Sequence, residues 1–105
     1  MKLLPIEIHD KARQMLIAIT DYYAEMGGMS SVDRLLDAIR VKTDRISQYP
    51  ESGTPESLLA GREHFYRSCI LNRRIKMVYY ADDSAIHVVA FWDMRMSPNR
   101  LRKTI

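Results

Sequence analysis

The stretch "AIHVVAFW", residues 85–92, is apolar at every position but His87. It lies between "DDS" and "DMR", and a short apolar run bounded in this way predicts a central strand covered on both faces. Two strands precede it. "RIKMVYYA" alternates Ile75, Met77 and Tyr79 with Lys76, Val78 and Tyr80, and "HFYRSCIL" sets Phe65, Arg67, Cys69 and Leu71 against Tyr66, Ser68 and Ile70. The connections "NRR" and "DDS" are short enough to make these three strands antiparallel neighbours.

A further strand opens the chain, with Leu4, Ile6 and Ile8 on alternate positions and Pro5 suited to a sheet edge. Ala12, Met15, Leu16, Ile19, Tyr22, Tyr23 and Met26 then recur at helical spacing, with His9 or Asp10 as candidate caps, until Gly27-Gly28 stops them. A second helix is expected from Ser30, burying Val32, Leu35, Leu36, Ile39, Thr43 and Ile46 and closing at Tyr49-Pro50. "PESGTPES" reads as an exposed loop. The expected fold is α+β, ordered β-α-α-β-β-β: a helical hairpin packed on a small, mainly antiparallel sheet. A short terminal helix is expected from about Ser97.

With 105 residues, 47% of them hydrophobic, the chain reads as one domain over 1–105 that can bury its own core. A single cysteine, Cys69, provides neither a disulfide nor the paired spacing of a zinc site, and its apolar strand makes it a small core residue. No cofactor or metal is expected. "MKLLPIEIHDKARQ" meets Pro5, Glu7 and Asp10 too soon for a signal-peptide core, and no apolar stretch approaches a membrane span, so a cytoplasmic location is expected. The net charge of +3 is unevenly spread: −2 over residues 1–60 and +5 over 61–105. A basic C-terminal half suits a polyanionic or acidic partner, and reads equally as a basic face that only keeps the domain soluble.

That charge collects where "AFWDMRMSPNRL" leaves the apolar strand. Arg95 follows the strand, Ser97 and Pro98 suit a helix start, and Arg100, Arg102 and Lys103 ride on that helix. Arginine predominates, which favours bidentate recognition of carboxylate or phosphate. Asp93 is placed to pair with Arg95, and Met94 and Met96 flank it as flexible apolar groups suited to a groove. Met15, Met26 and Met77 read as core.

A helical hairpin after a first strand, then "P-x-x-G" at Pro50 to Gly53, "YR" at Tyr66-Arg67, "RIKMVYY" and "WDMRMSPNRL" resembles the RelE/ParE family of bacterial type II toxins over almost the whole chain. The resemblance implies a toxin neutralised by a cognate antitoxin, with operator DNA contacted by the antitoxin rather than by this chain. RelE-like members cleave messenger RNA on the ribosome, whereas ParE-like members are associated with inhibition of DNA gyrase. Metal-independent RNA cleavage needs a base, an acid and cations on the phosphate. Arg67, Arg74, Lys76 and Arg95 supply cations, and Arg67 and Arg95 match the family's recurrent arginines. The terminus "NRLRKTI" lacks the Tyr or His that RelE-like nucleases carry there, and "PESGTPESLLAGRE" has three glutamates against one arginine.

The expected reading is therefore a ParE-like gyrase inhibitor without catalytic turnover. The alternatives are a RelE-like nuclease, with Arg67, Arg74, Arg95 and His87 in the reaction, and a non-toxic antitoxin binder. Arg67, Arg74, Lys76, Trp92, Arg95, Arg100 and Arg102 are the expected target- or antitoxin-binding residues. His87 has two readings, a hydrogen-bonded core histidine or a functional one, and His64 beside Glu63 reads chiefly as surface chemistry.

Overall fold

In the computed structural model, which describes residues 3–105, the apolar run forms β5 (Ile86–Asp93). It lies between β1 (Ile6–Ile8), parallel to it, and β4 (Ile75–Ala81), antiparallel. Then come β3 (Arg67–Ile70) and β2 (Thr54–Pro55), both antiparallel to their neighbours, giving the order β1-β5-β4-β3-β2. β1 is thus an edge strand, as Pro5 suggests. β2 was expected as loop: its two residues pair with Ser68 and Arg67, a match too short to show alternation. Two 3-10 turns, Pro50–Ser52 and Ser57–Leu59, flank it.

The continuity of β5 has two causes. Both faces are covered, and β5 also carries a bulge. Val78 pairs with Ala90 but Tyr79 with Val88, so Val89 is an extra residue and the side-chain alternation changes phase there. Ile86, Val88 and Phe91 consequently share the face that packs on the helical layer, while Val89, Ala90 and Trp92 join Leu59, Val78 and Leu101 on the other.

The helical layer is α1 (Asp10–Gln48), capped by His9 at one end and Tyr49 at the other. Its 39 residues would span about 58 Å if straight, but the molecule is only 38 Å in its longest dimension. The chain turns at Gly28, whose φ of 74° and ψ of −179° suit only glycine. α1 is therefore two arms, and the second begins directly after Gly28, leaving Ser30 inside the helical run rather than at its cap.

Ala12, Leu35, Ile39 and Ile46 bury against Cys69, Ile75, Met77, Tyr79 and Phe91. Leu36 and Met26, expected in the core, are 44% and 69% exposed. Leu36 follows Leu35 by one residue, a rotation of about 100° that carries it off the buried stripe. Met26 instead lines a hollow beside Arg73 and Arg74.

The opposite face is closed differently. α2 (Pro98–Thr104) inserts Leu101, fully buried, beside Leu59 and Trp92. Next to them Glu56, 7% exposed, forms an ion pair with Lys76. The P-x-x-G motif has a physical basis here. Buried Tyr79 donates its hydroxyl hydrogen to the Pro50 carbonyl at 2.7 Å and accepts from the Gly53 N–H at 3.0 Å. A Cβ on Gly53 would lie 2.5 Å from that hydroxyl oxygen, so the approach requires glycine. Burial pushes the Tyr79 phenol up to about 12.

Candidate partner-binding site

The end of the sheet where β4 starts and β5 finishes is built from three local devices. Asn72 turns the chain between β3 and β4 by accepting from the N–H groups of Arg74 and Ile75 at 2.8 and 2.9 Å, and it donates to the Tyr23 hydroxyl at 3.1 Å. The arginine-bearing turn is thereby tied to the first arm of α1. The Met94 N–H donates to the Arg74 carbonyl at 2.7 Å, which draws the segment after β5 to the same end. Asp93 then accepts the Arg95 backbone N–H at 2.9 Å and its guanidinium as a fork, with the Nη2 contact at 2.7 Å.

That fork holds the Asp93 carboxyl below the usual carboxylate range and raises the Arg95 guanidinium. It does not hide Arg95, whose side chain remains 57% exposed. The pairing expected from the sequence is present, and it orients a cation that still faces outward.

Between these devices and the first arm of α1 runs a groove of linked hollows. Tyr22, Tyr23, Met26, Arg73 and Arg74 line one end, around about 570 Å³. Ala18, Ile19, Asp93, Arg95 and Met96 line the middle, and Met15, Trp92, Met96 and Arg100 the other end. Its floor is apolar in the middle and at the Trp92 end and mixed beside Asn72, and its rim carries Arg73, Arg74, Arg95 and Arg100, all exposed. A groove of this kind suits an amphipathic segment with acidic flanks, the apolar stripe supplying area and the guanidinium groups fixing orientation.

The expected site residues divide. Arg74, Arg95 and Arg100 meet on this rim, and Trp92, 6% exposed, contributes floor rather than a presented ring. Lys76 is on the other face, held by Glu56, its side chain only 14% exposed, and does not belong to the groove. Arg67 donates to the Gly53 carbonyl at 3.0 Å and lies 4.8 Å from the centre of the Phe65 ring, clasping β2. Arg102 donates to the Leu58 carbonyl and to Asn99, fastening α2. The sequence reading passed over Arg73, and it took Tyr22 and Tyr23 as core. The signal for the tyrosines was the length of the α1 stripe, which runs on to the Gly28 turn.

His87 stands at the opposite end of β4 and β5. It stacks on Tyr80 at 4.6 Å, and His64 stacks on Tyr80 at 3.8 Å. Asp82 and His9 bond its two ring nitrogens at 2.9 and 3.0 Å. Burial and nearby acidic groups raise the Tyr80 phenol. Cys69 is buried, and burial raises its thiol, which makes it unreactive.

A two-armed helix on a five-stranded sheet, with an arginine-rimmed groove at one sheet end, defines a small α+β domain. Residues 6–98 match the family model described as the ParE toxin of the type II toxin–antitoxin system parDE, and the chain belongs to that family. Among solved structures it is similar to a chain of the chromosomal ParDE TA system from P. aeruginosa, with a TM-score of 0.67 and 16% identity over 87% of this chain and 96% of that one. It is also similar to the YoeB dimer from Staphylococcus aureus, with a TM-score of 0.60 and 20% identity over 85% and 94%. These likenesses are of fold. No curated protein matches in sequence. No helix among the described residues is long and apolar enough to cross a membrane.

Proposed function

We propose that this toxin acts by binding a protein target, DNA gyrase, without catalytic turnover, and that a cognate antitoxin neutralises it by laying an acidic amphipathic segment in the arginine-rimmed groove. The observation that carries the reading is a separation. Arg74 and Arg95 flank the paired residues Ile75 and Asp93, whereas Tyr80 and His87 pair at the far end of the same two strands. The five residue steps of β4 from Ile75 to Tyr80 amount to about 16 Å at strand rise. A general base and a phosphate-binding cation must meet within hydrogen-bond reach of one phosphodiester. Arg67, the remaining nuclease candidate, is engaged with Gly53 and Phe65. A groove rich in methionine and tyrosine suits a peptide, whereas RNA would be held mainly through phosphates.

One feature favours the alternative, RNA cleavage: His64, Tyr66 and Tyr80 form an aromatic cluster on which bases could stack. A pulse-label time course after induction without antitoxin separates the two. Gyrase inhibition stops DNA synthesis first, and purified toxin then blocks supercoiling in vitro. Early loss of protein synthesis with cut messenger RNA overturns the reading and transfers attention to the histidine end.

A further inference from the structure

All three histidines of the chain gather around Tyr80, and two of them do so at the seam between the first strand and the last. Glu7 and His87 are direct neighbours in the parallel β1–β5 pair. His9 follows β1 and donates its backbone N–H to the Val88 carbonyl at 3.0 Å, which fixes its ring beside His87. His9 Nε2 lies 3.0 Å from His87 Nδ1, and Glu7 Oε2 lies 3.5 Å from the same nitrogen. Those three ligand atoms fall within 4.8 Å of one another.

Two nitrogens bound to one zinc ion at about 2.0–2.1 Å sit roughly 2.9–3.4 Å apart across tetrahedral or octahedral angles. The separations of 3.0 and 3.5 Å from His87 Nδ1 lie near that range, and without an ion the shorter one is a hydrogen bond between the two rings that a metal would replace. The far side of His87 is also arranged for it. Its Nε2–H points to Asp82 Oδ2 at 2.9 Å, and the other Asp82 oxygen is held by Ser84 and by the Ala85 N–H. A carboxylate on Nε2–H fixes the tautomer that leaves a lone pair on Nδ1, as in carboxylate–histidine–metal triads. Stacking on Tyr80 holds the ring plane.

We propose that Glu7, His9 and His87 form a binding site for a divalent first-row transition ion, zinc being the representative case, with Asp82 as the positioning residue. Two imidazoles and one carboxylate suit zinc, cobalt or nickel and not magnesium or calcium. The remaining coordination positions open to solvent, since Glu7 is exposed. An ion there would pin β1 to β5 and stabilise the folded chain in proportion to its occupancy. The inference does not depend on which cellular target the toxin has.

The test is a calorimetric titration of untagged, chelator-treated protein with zinc chloride, accompanied by thermal unfolding and by the visible spectrum of the cobalt form. One ion per chain, a rise in Tm with zinc and none with magnesium are expected. Glu7→Gln and His9→Ala should each weaken zinc at least about tenfold, Asp82→Asn by about ten- to hundredfold, and His64→Ala should leave it unchanged. Circular dichroism of each metal-free variant separates lost binding from lost folding. The proposal is overturned if His9→Ala, folded as the parent, binds zinc with unaltered affinity, or if the parent protein binds none.

Discussion

The two faces of the sheet are closed by different chemistry. Against α1 the contact is mainly apolar, from Ala12 and Leu35 to Met77 and Phe91, with the hydrogen-bonded Tyr79 hydroxyl buried among them. Against α2 and the 3-10 turn at Ser57–Leu59, the apolar set of Leu59, Trp92 and Leu101 adjoins a buried Glu56–Lys76 pair and an aromatic and histidine cluster. The comparison teaches how one small domain divides its tasks. A face whose free energy comes from apolar area tolerates changes of shape poorly but is indifferent to pH and salt. A face held partly by charges can present polar groups toward solvent, at the cost of depending on every partner being in place.

The largest effects should come from breaking each face at its centre. Phe91→Ala leaves a cavity on the α1 side and should cost about 3–5 kcal/mol in denaturant unfolding. Lys76→Ala strands Glu56 and should cost a similar amount, about 3–5 kcal/mol. The sharper comparison is the double replacement Lys76→Met with Glu56→Leu. It should restore most of that loss, because an apolar pair of similar volume needs no mutual charge; a double variant as unstable as Lys76→Ala would show that the pair supplies more than compensation for its own burial.

A smaller effect is expected at Tyr79→Phe, about 1–3 kcal/mol, since the Pro50 carbonyl and Gly53 N–H both lose their partner. The same residue predicts an alkaline signature on the otherwise pH-insensitive α1 face. The folded phenol titrates near 12 and an unfolded one near about 10, so its contribution is complete below 10 and declines as pH rises toward 12. Stability curves of parent and Tyr79→Phe should therefore converge over that interval.

The smallest effect on stability is expected at Arg95→Ala, because the guanidinium is mostly exposed. Toxicity is expected to vanish in that variant while its unfolding curve stays close to the parent's; a toxic Arg95→Ala would remove the groove rim from the target interface. Asp93 has a depressed carboxyl, so its contribution is present above the ordinary carboxylate range and lost as pH falls. Asp93→Asn should flatten that acid limb.

Much of this was legible in the sequence, because most of it is written in local periodicity. The alternation in "RIKMVYYA" assigned Ile75, Met77 and Tyr79 to one face and Val78 and Tyr80 to the other, as observed. The Gly27-Gly28 stop and the Pro98 start were readable from backbone preferences. What escaped depends on residues brought together from far apart. Glu56 read as a charge in a polar loop, and nothing near it in the chain announces that Lys76 neutralises it. Glu7 and His9 are adjacent to each other in the alternation of β1, but their partner His87 belongs to the other end of the molecule. The bulge at Val89 was masked by the very run that identified β5, since an unbroken apolar stretch cannot show where its phase changes.

The parallel pairing of β1 with β5 also bears on how the molecule comes into being. Ile6 must find Ile86, and during synthesis the first strand has no mate until the last one has emerged. Until then β4 is an apolar edge with only β3 beside it, the kind of exposed template on which unfinished chains aggregate. The groove is under the same constraint, because Arg95 and α2 follow β5 and its floor includes Trp92. A nascent chain therefore has no finished groove until β5 and α2 have both emerged.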